Sequence, residues 1–319
     1  MITITRRDYD SHDEFDSPGS TPHTNSELED LRGGRDIFLK TLGLTLAKFL
    51  LWFIDTHNIP KIDNNGKGGI SVMGWSLGGI WPLALLGHPD VLPKDSQKKL
   101  ASYFRQTILY GMFRSPHPPF YSERPPDPAE ADFGYNWGND PPVYPDDYAD
   151  FPTWASRYYI HPDLTSRAGS AATVIDSSKR LSFENMTDKE LAVNFDFDAS
   201  LKSDVDLFTT MVPALEKQAQ AALFDETLAK EYLPDMKITW IACPQTTWTL
   251  AWGKVVVERR YEEHVKQNHQ IRPIRFTEIE GANHFVSISV YGPHSWVVDM
   301  FAGSLGRAAE ILENCCRNC

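Results

Sequence analysis

The sequence predicts an α/β fold, and three stretches carry that prediction. "GGISVMGWSLGGIWPLALLG" (68–87) reads as a strand, a sharp turn and a helix. "MKITWIAC", "KVVVERRYEEHVKQ" and "IRPIRFTEI" follow one another between residues 236 and 279 as strand, amphipathic helix and strand. Between these two blocks, residues 147–234 carry helical patterns and no strand pattern, so sheet-forming sequence brackets an all-helical insertion. A chain of 319 residues with 41% hydrophobic and 12% aromatic content can bury a large core.

In the first stretch, Ile70 to Met73 is an apolar run containing β-branched residues, and the turn-forming Asn64, Asn65, Gly66, Lys67 and Gly68 precede it. Downstream, Ile80, Leu83, Leu85 and Leu86 recur at near-helical spacing. Ser76 therefore sits on the turn. Gly74 and Gly78 flank it, as a tight bend requires where a helix must pack close to the strand it leaves. Gly74-Trp75-Ser76-Leu77-Gly78 matches the G-x-S-x-G nucleophile elbow, which lifts a serine hydroxyl above the sheet edge and turns the backbone N–H of the next residue, Leu77, toward a developing oxyanion.

Upstream, "IFLKTLGLTLAKFLLWFI" (37–54) approaches the length of a membrane span. Lys40, Thr41, Thr45 and Lys48 interrupt it at spacings of three and four, marking one wet face of a core helix. Ser26 and Glu29 have capping-box spacing for an earlier helix, which Gly33 and Gly34 would break. Thr107 to Tyr110 reads as another short buried strand. The residues after it, from Gly111 to Tyr148, are dense in proline, aromatics and acids and predict no regular structure.

Composition narrows the function. A net charge of −12 leaves no basic face for nucleic acid or an anionic membrane. The start, "MITITRRDYD", contains no apolar core ahead of a cleavage site, so a cytoplasmic, reducing location is expected and the sequon at Asn185 carries no meaning. Cys243 stands alone in an apolar run. Cys316 and Cys319 have C-x-x-C spacing beside Cys315, but no second pair or histidine lies at metal-site distance, and a frayed tail is the simpler reading. No phosphate-cradling loop or metal-ligand cluster is visible, so no cofactor and no metal is expected.

The elbow segment resembles that of the α/β-hydrolases, and two more stretches join it. "ITITRRDYDSHDEFDSPGSTPHTNSELEDL" resembles the strand and loop two elements before the elbow in serine members of the superfamily, and "RPIRFTEIEGANHFVSI" resembles the last strand with the loop that carries the catalytic histidine. The resemblance spans most of 1–113 and 236–285. It implies a mostly parallel sheet with a helical lid, divided as 1–113 (first part of the core, with the elbow), 114–234 (proline- and aromatic-rich loop and lid) and 235–319 (second part of the core, with the histidine loop).

The resemblance further implies Ser76 as nucleophile, His284 as general base and Leu77 N–H as an oxyanion donor, in the chain order Ser then His that this fold uses. The implied activity is hydrolysis of an ester, thioester or lactone of a small apolar substrate. A serine at the elbow excludes the aspartate chemistry of related dehalogenases and epoxide hydrolases. The lid's aromatic residues serve either to line an acyl pocket or to form the lid's own core.

The chain departs from the family pattern at the acid of the triad. "PQTTWTLAWGK", before the histidine strand, holds no Asp or Glu, and neither does Gly111-Met112-Phe113 after the strand that follows the elbow helix. Glu123, Asp127 and Glu258 remain as candidates, and none is assigned. Only Ile2 to Thr5 can be read as a strand before Ile70, Asp10 to Ser17 looks like an insertion, and "VSISVYGPHSW" after His284 is atypical. An N-terminally truncated or aberrantly spliced family member is therefore expected, lacking the loop that supplies a second oxyanion N–H. A catalytically impaired or inactive relative with a binding role, or none, is the alternative.

Overall fold

The computed structural model describes residues 7–8, 22–112, 151–163, 173–188 and 197–285. The readings made for Ile2–Thr5, Asp10–Ser17, Glu123, Asp127, "VSISVYGPHSW" and the three C-terminal cysteines lie outside these residues. In chain order the principal elements are α1 (Asn25–Arg32), α2 (Asp36–Thr56), β1 (Ile70–Trp75), α3 (Ile80–Gly87), α4 (Lys94–Ala101), β2 (Phe104–Tyr110), α5 (Phe151–Ser156), β3 (Tyr159–Ile160), β4 (Val174–Ile175), α6 (Val205–Thr209), α7 (Val212–Phe224), α8 (Glu226–Glu231), β5 (Lys237–Ala242), α9 (Trp248–Lys266) and β6 (Ile274–Glu278).

The main sheet has four strands in the order β1-β2-β5-β6, every pair parallel, and the chain is of the α/β class. Parallel neighbours require crossovers, supplied by α3 and α4 between β1 and β2 and by α9 between β5 and β6. β2 and β5 sit in the middle of the sheet and are buried along nearly their whole length, whereas β1 and β6 are outermost among the described strands and are only partly covered. In the buried centre of the sheet Gln106 Nε2 donates to Thr239 Oγ1 at 2.7 Å.

α1 begins two residues earlier than the Ser26–Glu29 spacing predicts. Its cap is Thr24, whose Oγ1 accepts from Glu27 N at 3.3 Å while Glu27 Oε2 accepts from Thr24 N at 2.7 Å. Arg7 decides between the two registers: its guanidinium grips both oxygens of Glu27 at 2.7 and 2.9 Å and holds that carboxyl down to about 2. α2 buries Phe38, Leu39, Leu42, Leu46, Leu50 and Ile54 on one stripe and turns Thr45 and Lys48 to solvent. Its length and composition would suffice to cross a membrane. Gly43 brings α2 against α3 so closely that a β-carbon there would stand 2.8 Å from the Ala84 carbonyl.

The segment between β2 and β5 differs from expectation. It is not wholly helical, because Tyr159–Ile160 and Val174–Ile175 pair as a small antiparallel ribbon. Within the helical pattern of 147–234, residues 205–231 form three separate helices, α6, α7 and α8, divided by Pro213 at the start of α7 and by Asp225, which caps α8. α7 lies on α3 within the main body, where Ala222, Leu223 and Phe224 join the largest core cluster and Gln218 Nε2 donates to the Ile80 carbonyl at 3.1 Å.

Candidate active site

A parallel sheet collects the carboxyl ends of its strands along one edge, and the candidate residues gather there. β1 ends at Trp75, and Ser76 follows with φ +53, a left-handed conformation that few residues other than glycine adopt. The chain then makes one 3₁₀ turn, Ser76–Gly79, before α3. Glycine is needed at 74, where a β-carbon would sit 2.5 Å from Gly79 Cα, and at 79, where one would collide with Met112 Sδ. Gly78 was the expected second close approach and is not one. A β-carbon there meets nothing within 4 Å, because the turn presents position 78 outward and position 79 toward the sheet.

The loop after β6 delivers His284. It runs back over the strand ends, Ile279 N donating to the Ala242 carbonyl at 3.0 Å and Gln245 N donating to the Ala282 carbonyl at 2.9 Å. It then passes Gly111 at the end of β2 and reaches Ser76 beyond β1. His284 Nε2 lies 2.9 Å from Ser76 Oγ. The two residues are 208 apart in sequence, and their meeting is a product of the sheet order.

The imidazole is 3% exposed, and burial holds its pKa at about 3, so it is neutral at ordinary pH. Trp75 stacks on it with ring centroids 5.3 Å apart, and Trp75 Nε1 donates to the His284 carbonyl at 3.2 Å. Phe285 packs edge-on against both rings, and Phe183 and Met186, from the segment between β2 and β5, close over Phe285.

Nδ1 of His284 is buried and has no hydrogen-bond partner among the described residues. It faces Gly111, where a β-carbon would lie 3.2 Å from it and where the sequence Gly111-Met112-Phe113 offers no Asp or Glu. In "PQTTWTLAWGK" only Pro244–Thr247 are loop before α9 begins at Trp248, and Glu258 lies within α9 paired with Lys254 at 2.6 Å. Cys243, at the end of β5, is no rival nucleophile: burial pushes its thiol up to about 12. His161 is absorbed structurally between Thr173 Oγ1 and the Thr246 carbonyl. Among the described residues no group of three or more His, Cys, Asp or Glu side chains is placed to hold a metal ion.

No protein-family model matches the chain, and no curated protein matches it. The functional reading rests on geometry.

One contributor was missed in the sequence. Asn283 is fully buried and ties the histidine loop to the segment between β2 and β5, its Nδ2 donating to the Ser156 carbonyl and to Ser182 Oγ, each at 2.7 Å. An asparagine between Ala282 and His284 carries no local signal of this, since its partners are 101 and 127 residues away.

Proposed function

We propose that the chain is a serine hydrolase of the α/β-hydrolase superfamily, acting on an ester, thioester or lactone of a small apolar compound. The observation that supports it most strongly is the 2.9 Å approach of His284 Nε2 to Ser76 Oγ, with Ser76 held at positive φ on a strand-to-helix turn. In this reading Ser76 Oγ attacks the carbonyl carbon as its proton passes to His284 Nε2. The oxyanion is held by the N–H of Leu77, which stands in the first turn of a helix where no intrahelical acceptor serves it. His284 then returns the proton to the departing alcohol or thiol, leaving an acyl ester on Ser76. Water, deprotonated by the same imidazole, hydrolyses that ester and frees the serine. The apolar, aromatic surroundings of His284 favour an uncharged acyl group, and the residues around Phe183 and Met186 act as the lid.

That Nδ1 of His284 has no partner among the described residues favours a second reading, in which the dyad is impaired. A carboxylate on that nitrogen normally fixes the tautomer that leaves Nε2 free to accept, and losing that control can lower turnover about 10⁴-fold. Labelling with a fluorophosphonate probe tests the first reading, because the probe reports an activated serine whatever the substrate. The wild type should be labelled and Ser76→Ala should not. Equal labelling of the two would remove Ser76 from the proposal, and no labelling of either would favour the impaired relative.

A further inference from the structure

Among the described residues no carboxylate meets Nδ1, which raises the question of what holds the His284 ring in place. We propose that Asn283 is a positioning residue: by clamping the histidine loop to the segment between β2 and β5, it sets the imidazole against Ser76. This inference rests on the hydrolase reading above.

The amide of Asn283 is saturated. Both of its donors are used, on the Ser156 carbonyl and Ser182 Oγ at 2.7 Å, with the Arg157 carbonyl a longer contact at 3.5 Å, and its Oδ1 accepts from Phe285 N at 3.0 Å. The two ends of the amide meet unlike partners, so the side chain has only one satisfactory orientation. These bonds grip the chain on both sides of His284, at 283 and at 285. The Trp75 indole holds the carbonyl of 284 itself. Among the described residues Ser76 Oγ is the one hydrogen-bond partner of the ring, and Trp75 and Phe285 pack on it without fixing its rotation, so its position follows largely from the backbone that these contacts hold.

Releasing the clamp lets the ring drift. A displacement of about 1 Å in a catalytic group costs on the order of 10²-fold in rate. The segment carrying Ser156 and Ser182 thereby becomes part of the catalytic frame as well as a cover over it.

The test is the rate of fluorophosphonate labelling in a double-mutant cycle. Asn283→Ala should label about a hundredfold more slowly than wild type, and in a His284→Ala background the same change should have almost no effect, because there is no ring left to position. Ser182→Ala removes a single acceptor on the other side of the clamp. It should slow labelling by several fold with the same dependence on His284, and it serves if Asn283→Ala does not fold. An NMR titration of the imidazole supplies a readout that does not depend on activity: in Asn283→Ala the His284 midpoint should move up from about 3 toward 6.5 as the ring meets water.

Labelling of Asn283→Ala at the wild-type rate, or an equal loss with and without His284, would overturn the positioning role while leaving the hydrolase reading intact. Absence of Ser76-dependent labelling in the wild type, together with an unmoved His284 midpoint in Asn283→Ala, would overturn both.

Discussion

Gly111 stands directly against the Nδ1 side of His284: a β-carbon on it would lie 3.2 Å from that nitrogen. Its φ of +50 is one that L side chains rarely adopt. A side chain at position 111 would therefore crowd the Nδ1 edge of the ring. Gly111→Ala should lose about 1–2 kcal/mol to the left-handed conformation, and the new methyl should push the imidazole off Ser76, slowing fluorophosphonate labelling by about tenfold or more. Wild-type labelling in a folded Gly111→Ala would show that the ring has room to spare.

The elbow makes unequal demands on its glycines. Gly79→Ala drives a methyl into Met112 and toward Leu109, and overpacking of this kind costs about 1–3 kcal/mol. Gly78→Ala meets open space and should leave stability within about 0.5 kcal/mol of wild type. Urea denaturation of the two variants side by side measures the contrast, and a more damaging change at 78 than at 79 would mean that the turn is oriented differently.

Burial of neutral His284 predicts a pH dependence. In the unfolded chain the imidazole takes up a proton near its ordinary 6.5, while in the folded protein it does so only near 3. Between those values the unfolded state binds more protons, so stability falls as pH falls, with a limiting slope of about 1.4 kcal/mol per pH unit for this one group. His88 and His161, also lowered by burial, add slopes of the same sign. Unfolding free energies measured between pH 7 and pH 5 should fall less steeply in His284→Ala than in wild type. Matching slopes would contradict a buried neutral ring. For the same reason, labelling of the folded protein should hold level from pH 8 down to pH 5, where a histidine titrating near 6.5 would already have lost its basicity.

Away from the site, Arg272 is buried and its guanidinium donates to three main-chain carbonyls, those of Leu228, Tyr232 and Leu233, at 3.1, 2.7 and 2.9 Å. Burial lowers its pKa to about 10, so the group stays charged and closes off the end of α8. Arg272→Met should destabilise by about 1–3 kcal/mol, chiefly through the Tyr232 carbonyl, since those of Leu228 and Leu233 still accept from Tyr232 N and Met236 N. Arg272→Lys should recover only part of that, because one ammonium cannot reproduce the planar fork. Equal stability of wild type and Arg272→Met in urea would deny the bonds their weight.

The α/β class, the four main strands, α2 as a core helix with one wet face and Ser76 on a strand-to-helix turn were all legible in the sequence. Each is written in local pattern: apolar runs of strand length, a 3.6-residue stripe, glycines at a bend. Local pattern also misled where two registers were nearly equal. Ser26–Glu29 and Thr24–Glu27 have the same capping spacing, and Arg7, a partner 20 residues away, settles the choice. Gly78 and Gly79 are adjacent and identical, and only the packing of Met112 distinguishes them.

What the sequence by itself determined about this protein is that a serine sits on a glycine-flanked turn after one strand and a histidine follows another strand some two hundred residues later. That those two side chains touch was decided by the order β1-β2-β5-β6, which leaves the histidine loop to cross two intervening strand ends before it meets Ser76. Tertiary structure also decided that Gly111 lies against the Nδ1 side of His284, that α7 belongs to the main core, and that Asn283 reaches Ser156 and Ser182. The physical reason is common to all of these. Hydrogen bonds and steric contacts act over a few ångströms of space, and where their partners are more than a hundred residues apart along the chain, nothing in the neighbouring sequence needs to record them.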